Sequence, residues 1–286
     1  MKNSKYLFQY ALSIISFLIF KLLGAKLSSN VSGKIFEKIG PFFRSEDLID
    51  TNLRRALPNI NSNDLKEIKR LMWNNYGRTF AEYMFIKDFR FGELASNINI
   101  QGQEILNEIK QRNKPVVFIS GHLANFELMA MCLERSGINL SAIYRPLNNI
   151  FLNQIMENIR KKYICKNQIK KGKAGLRELI FLIKKNFSTA LMIDQRVSQG
   201  ILSDFFKKKA LTTTIPAQLV KKFNVPIVPV YIERVNDIKF KIKIEKPVNF
   251  SKNASIQIIT DELNHVLEKM ILKKPEHWIW SHNRWK

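Results

Sequence analysis

Apolar residues recur at helical spacing through the first third of the chain, and short apolar runs bounded by turn residues take over after it. Tyr6 to Phe20 holds 12 apolar residues out of 15. Its polar members Gln9, Ser13 and Ser16 fall with Lys2 and Lys5 into one narrow stripe on an otherwise apolar helix. Residues 26–95 read as further helices, broken near Gly40-Pro41 and Leu57-Pro58-Asn59. Ser62-Asn63-Asp64 is a helix start, followed by Leu65, Ile68, Leu71 and Met72 at helical spacing. Trp73, Tyr76, Phe80, Tyr83 and Phe85 add an aromatic stripe that reads as core. After a short helix at 104–110, strands at 115–119, 140–144, 188–193 and 227–234 alternate with helices at 123–135, 149–162, 174–185 and 214–223. That alternation predicts a mostly parallel sheet covered by helices. Asn236-Asp237 then marks a hairpin-type turn. Phe240, Ile242 and Ile244 alternate with lysines, as an edge strand with one wet face should. A last helix is expected over 256–272, before a tail dense in aromatic residues.

The chain has 286 residues, 45% of them apolar, which is enough for a sizeable core. Charge changes the picture more than size does. Lys and Arg number 47 against 24 Asp and Glu, a net charge of +23. Such a chain should seek polyanions: an anionic membrane surface, a phosphorylated substrate, an acidic protein or nucleic acid. No nucleic-acid-binding module is present, and aromatics are not interleaved with the lysine clusters at 170–171, 207–209 and 221–222. Cys132 and Cys165 are too few for a disulfide framework and lack metal spacing, which fits a reducing compartment. The N-terminal apolar segment is short for a transmembrane span and is followed by a poor signal cleavage site. It reads as a membrane helix that either crosses the bilayer or lies in its interface. Lysines follow it more densely than they precede it, so a span would leave the main body cytoplasmic.

The candidate chemistry lies where the first long strand ends. Gly121 breaks the strand Val116 to Ile119, and His122 and Glu127 follow at the expected strand-to-helix junction. On one continuous helix a spacing of five separates side chains by about 140°. With His122 on the turn and Glu127 in the helix, the two side chains could converge. A histidine held by a carboxylate can take a proton from a hydroxyl. The bland alternative is a capping or packing histidine. Arg145 follows a predicted strand, where a guanidinium could hold a phosphate through two parallel hydrogen bonds or make a surface ion pair. Asp194 and Gln195 stand at the end of another predicted strand, the position where open α/β sheets bind ligands. Nucleophile-elbow, Walker and dinucleotide motifs are absent, and no cluster has metal-ligand spacing.

An ordered series of segments resembles the late acyltransferases of lipid A biosynthesis, the lauroyl/myristoyl type. Gly121-His122-Leu123-Ala124-Asn125-Phe126-Glu127 is similar to the family's His-x4-Asp/Glu block, and Ile143-Tyr144-Arg145-Pro146 to its Tyr-Arg-Pro segment. Met192-Ile193-Asp194-Gln195-Arg196 with Asp204-Phe205-Phe206 resembles its Asp-Gln and Phe-Phe segment. Thr212 to Pro216, Val225-Pro226-Ile227-Val228-Pro229-Val230 and Trp278 to Trp285 resemble three further blocks. A glycine commonly follows the family's Phe-Phe pair, and Lys207 stands there instead.

The resemblance implies a glycerolipid-acyltransferase α/β fold: a mostly parallel sheet flanked by helices, with an N-terminal membrane helix. It divides the chain into an anchoring helix at 1–25 and an acyltransferase domain at 26–286, with a helical cap at 26–95 and a catalytic core at 96–286. The implied reaction moves an acyl group from acyl carrier protein to a 3-hydroxyacyl chain of a lipid A precursor, at the cytoplasmic face of a bacterial inner membrane. No metal or redox cofactor is implied. His122 would be the base and Glu127 its orienting partner. Arg145, Arg160, Asp194 and Gln195 would bind substrate, Asp194 more as an anchor for Arg145, Arg160 or a sugar hydroxyl than as a base. Alternative readings are an acyltransferase acting on another membrane lipid, a thioester hydrolase, and a basic peripheral membrane protein without catalysis.

Overall fold

The computed structural model describes residues 2–286. Five helices precede the sheet: α1 (Lys2–Leu23), α2 (Ala25–Ile39), α3 (Glu46–Ala56), α4 (Ser62–Glu82) and α5 (Ile86–Phe91). Helix α4 starts where Asn61 caps it, its side chain accepting from the Asp64 amide at 2.8 Å. Helices α2 and α4 approach closely because small residues line their contact. Ser32 Oγ donates to the Gly77 carbonyl at 2.7 Å, and a Cβ on Gly77 would stand 2.4 Å from the Ser32 carbonyl. Phe17 and Phe20 of α1 and Phe36 of α2 converge on Phe80, and Trp73, Tyr83 and Phe85 are buried, so the aromatic stripe is core except for the exposed Tyr76.

The sheet has seven strands in the order β1-β9-β8-β2-β5-β3-β4. These are β1 (Ile98–Gln101), β2 (Val117–Ser120), β3 (Leu140–Tyr144), β4 (Asn167–Lys170), β5 (Ser188–Met192), β8 (Ile227–Asn236) and β9 (Lys239–Ile244). Strands β8, β2, β5, β3 and β4 run parallel, and β9 turns back against β8. Helices α6 (Gln103–Arg112), α7 (Glu127–Arg135), α8 (Ile150–Ile159), α9 (Lys173–Lys184), α10 (Ile215–Phe223) and α11 (Ile256–Lys273) complete the α/β architecture. All four residues of β2 are buried, as a parallel strand covered on both faces requires.

Two expectations change. Strand β9 is not an edge, because the four-residue β1 pairs with it in parallel and takes the edge itself. A strand that short carries too little alternation to be read from sequence. The segment 201–212, unassigned in the sequence reading, is an antiparallel hairpin of β6 (Ile201–Phe205) and β7 (Lys208–Thr212). The tail of the chain clamps it. The buried Arg284 guanidinium donates to the Leu211 carbonyl at 2.9 Å and to Thr212 Oγ1 at 2.7 Å, and Trp285 Nε1 donates to the Phe205 carbonyl at 3.0 Å.

A buried ion pair joins the helical cap to the sheet. Glu82, at the end of α4, is fully buried and accepts both terminal nitrogens of Arg234 on β8. Ser29 Oγ of α2 donates to the same carboxylate at 2.7 Å, and Asn125 Nδ2 at 3.0 Å. Each oxygen is therefore satisfied by more than one donor, which offsets the cost of burying the charges.

The two-residue turn of the hairpin puts Phe206 at φ 51° and Lys207 at φ 58°. This is the turn geometry that suits right-twisted strands, and it favours glycine. Lys207 is exposed. Lys207→Gly should therefore raise stability, by about 0.5–1 kcal/mol, as relief of the left-handed conformation outweighs the added freedom of the unfolded chain. Denaturant unfolding of the two forms in detergent measures it; an equal or lower midpoint would count against the strained turn.

Candidate active site

Sheet register builds the centre of the site. Ser120 at the end of β2 lies opposite Met192 at the end of β5. His122 and Asp194 each follow two residues on, so they emerge side by side. His122 Nδ1 lies 2.8 Å from Asp194 Oδ1, and the His122 amide donates to Oδ2 at 2.9 Å. Trp278 Nε1, from the C-terminal tail, donates to Oδ2 at 2.9 Å. Gly121 permits this approach: a Cβ there would meet a Leu267 methyl at 2.9 Å and Asp194 Cβ at 3.3 Å. The Asp194 side chain is 2% exposed and that of His122 is 19% exposed, so the carboxylate is shut away while the ring stays reachable.

Burial alone would disfavour both charges. For Asp194 the neighbouring His122, its two hydrogen bonds and that of Trp278 outweigh burial and pull the pKa down to about 2. Burial also opposes protonation of His122, but Asp194 and, to a lesser degree, Glu127 outweigh it and raise the pKa above the ordinary histidine value. The Asp194 contact assigns the Nδ1 proton. Neutral His122 then presents Nε2 as an acceptor, and no hydrogen bond engages Nε2 among the described residues. Phe126 packs edge-on against the ring with centroids 4.6 Å apart.

The expected pairing of His122 with Glu127 is not formed. Glu127 opens α7 and is held by Arg160 instead, its Oε1 accepting from Nη2 at 2.5 Å and from Nε at 3.0 Å. Arg160 begins a short π turn that extends α8, and its guanidinium lies 5.7 Å from the centre of the Tyr144 ring. Asp194 likewise departs from its expected part: it anchors His122, not Arg145 or Arg160. Neighbouring strand ends put Asp194 beside His122, whereas Glu127 is reached only through the intervening loop. Arg145 and Gln195 stand exposed after β3 and β5 with no hydrogen bond or ion pair among the described residues. The strand order places Arg145 two strands from His122, about 10 Å along the carboxyl edge of the sheet. Among the described residues no group of His, Cys, Asp and Glu is arranged to hold a metal.

Helix was expected from Leu123 but begins at Glu127. The intervening loop is held from two sides. Ala124, at φ 44°, donates its amide to the His277 carbonyl at 3.0 Å and accepts from Thr79 Oγ1 at 3.2 Å. Leu123 makes an antiparallel bridge to Trp278, and Asn125 is held by Glu82. Sequence reasoning missed Trp278, His277, Glu82 and Asn125 as site residues. The aromatic density of the tail was a signal for Trp278; Glu82, one of two glutamates in α4, offered none.

The family model described as bacterial lipid A biosynthesis acyltransferase matches residues 2–286. Lipid A biosynthesis acyltransferase 2 of Shigella flexneri is 23% identical over 186 residues, covering 63% of this chain and 58% of the relative. The lipid A biosynthesis myristoyltransferase of Escherichia coli (strain K12) is 20% identical over 193 residues, covering 66% and 58%. The lipid A biosynthesis palmitoleoyltransferase of the same organism is 21% identical over 256 residues, covering 86% and 80%. The first two alignments thus take in less than two thirds of those relatives' length. The family match runs through every segment that builds the site, from α4 to the C-terminal tail, and the chain belongs to the bacterial lipid A biosynthesis acyltransferase family.

Proposed function

We propose that this chain transfers a fatty acyl group from acyl carrier protein to the hydroxyl of a 3-hydroxyacyl chain on a lipid A precursor. The observation that carries the reading is His122, fixed through Nδ1 on a buried aspartate with Nε2 left open. The hydroxyl oxygen attacks the thioester carbonyl while Nε2 takes its proton. The tetrahedral intermediate then expels the carrier thiol, which leaves with the proton from the imidazolium, and an acyloxyacyl ester remains. Asp194 holds the tautomer and offsets the charge that appears on the ring. Glu127 acts on His122 through space, and Arg160 fixes its carboxylate at the start of α7. Arg160, with Nε and one N–H of Nη2 on Glu127, keeps the N–H groups of Nη1 and the second one of Nη2 for a substrate anion. Arg145 and Gln195 border the site at the carboxyl edge, where Arg145 suits a sugar phosphate. The net charge of +23 suits an acidic carrier protein and the anionic cytoplasmic face of an inner membrane. Lipid mass spectrometry of a strain lacking this chain tests the reading: one secondary acyl chain should be missing from lipid A, and an unchanged lipid A would refute it.

The base must be neutral, so kcat/KM should fall as pH drops through the His122 pKa, which lies above the ordinary value of about 6.5. In Asp194→Asn the attraction that favours the imidazolium is gone and burial dominates. The acid limb should move to lower pH, and the plateau rate should fall by on the order of 10⁴ as the tautomer is lost. A pH–rate profile decides; a limb that stays in place would remove Asp194 from its role.

Glu127→Gln should move the same limb in the same direction by less than Asp194→Asn does. It should also cost about 3 kcal/mol of stability, because it strands Arg160 without its counter-charge. Equal stability of the two proteins in denaturant would contradict the buried pair.

Arg145→Ala should weaken a phosphorylated acceptor more than Arg145→Lys does, since lysine keeps charge and loses the planar fork. Kinetics against phosphorylated and dephosphorylated acceptors give the comparison. Equal losses with both would end the phosphate role.

A further inference from the structure

Helix α1 turns a broad apolar face away from the body. Gln9 and Ser13 lie on the partly buried side that faces the body, while Leu7, Phe8, Leu12, Ile15, Ile19 and Leu22 point outward. The outward residues are about half exposed or more, with Phe8 at 70% and Leu22 at 87%. A helix in water buries its apolar face and wets its polar one. This one buries Phe17 and Phe20 yet leaves a second apolar face outward, opposite Gln9 and Ser13, which suits hydrocarbon as the outer solvent.

The helix is also long and apolar enough to cross a membrane. Its docking argues against crossing. Near its start, the Tyr6 carbonyl accepts from Asn149 Nδ2 at 2.9 Å, Gln9 Oε1 lies 3.4 Å from the same nitrogen, and Tyr10 meets Phe151 at 5.9 Å. Near its end, Phe17 and Phe20 are buried on Phe80 of α4 at 5.2 and 6.0 Å. The body therefore touches α1 over nearly its whole length. Were α1 to span, Tyr6 would lie toward the far face, about 20 Å from Phe20 along the axis. It would carry with it the start of α8, with Asn149, Gln154 and the irregular backbone after Arg145. Placing that irregular, polar backbone in hydrocarbon without partners costs several kcal/mol per group. Lys5 and Lys21 are exposed at the two ends of the apolar run, where each can reach an anionic headgroup, while Lys26 pairs with Asp237 at 2.9 Å.

We infer that α1 lies within one leaflet as a monotopic helix, its outward face in the acyl chains of an anionic bilayer, with Tyr6, Gln9 and Tyr10 on the start of α8 and Phe17 and Phe20 on α4. The inference deepens the proposed reading, since α1 then passes beside α8, whose two ends carry the Arg145–Asn149 segment and Arg160. A bilayer lipid can reach the carboxyl edge of the sheet without leaving its leaflet.

The test places single cysteines at Leu7→Cys, Ile15→Cys and Leu22→Cys in the full chain, where Cys132 and Cys165 are buried. All three sites are exposed, so folding is not at issue. Each carries an environment-sensitive fluorophore and is bound to vesicles of phosphatidylethanolamine and phosphatidylglycerol. The vesicles contain lipids with a nitroxide near the headgroup or near the bilayer centre. The shallow nitroxide should quench all three probes more than the deep one, by about twofold or more. Strongest deep quenching at position 15, with shallow quenching at 7 and 22, would show a span and overturn the inference. Absence of quenching at every position, including through pairing of α1 with a second copy, would overturn it as well. Probe depth is read without turnover, so failure of the acyl-transfer reading leaves this result intact, and the converse holds.

Discussion

One buried carboxylate sets the geometry of the site. Asp194 is 2% exposed and ionised down to a pKa of about 2, so every lone pair turned inward must find a donor. It finds the His122 ring, the His122 amide and the Trp278 indole. Those donors belong to the turn after β2 and to the C-terminal tail, and Asp194 itself follows β5. The charge can be buried only when the three segments close on it. That closure is the same event that fixes the histidine tautomer and aims Nε2 at solvent.

A second buried carboxylate repeats the device on the other side of the loop. Glu82 gathers Arg234 from β8, Ser29 from α2 and Asn125 from the loop between His122 and Glu127. The loop is thereby held at His122 by Asp194, at Asn125 by Glu82 and at Glu127 by Arg160. Ala124 is kept at a positive φ between the second and first of these anchors by Thr79 and the tail. A backbone conformation that disfavours a residue with a side chain persists because contacts on both sides over-determine it.

The outer face of α1 follows a different rule. Helix α1 turns apolar residues outward and sets Gln9 on Asn149 and Ser13 and Ser16 on its own backbone, while Lys5 and Lys21 stay exposed. The hydrophobic effect that builds the sheet from buried β-branched residues is thus absent from this surface unless lipid supplies the apolar partner.

The parallel sheet, the N-terminal apolar helix and the strand-end positions of His122 and Asp194 were legible along the chain, whereas Arg160 was named only through the family resemblance. Period and punctuation are local, and local spacing carries them. The partners of those residues were not legible. Five residues separate His122 from Glu127 and 72 separate it from Asp194, yet the sheet register joins the distant pair and a buried arginine claims the near one. The same holds for Trp278, for Glu82 and for the strand β1 that takes the edge from β9. Sequence determined which residues have the chemistry; the order of strands in the sheet, a non-local outcome of packing both faces, decided which of them meet.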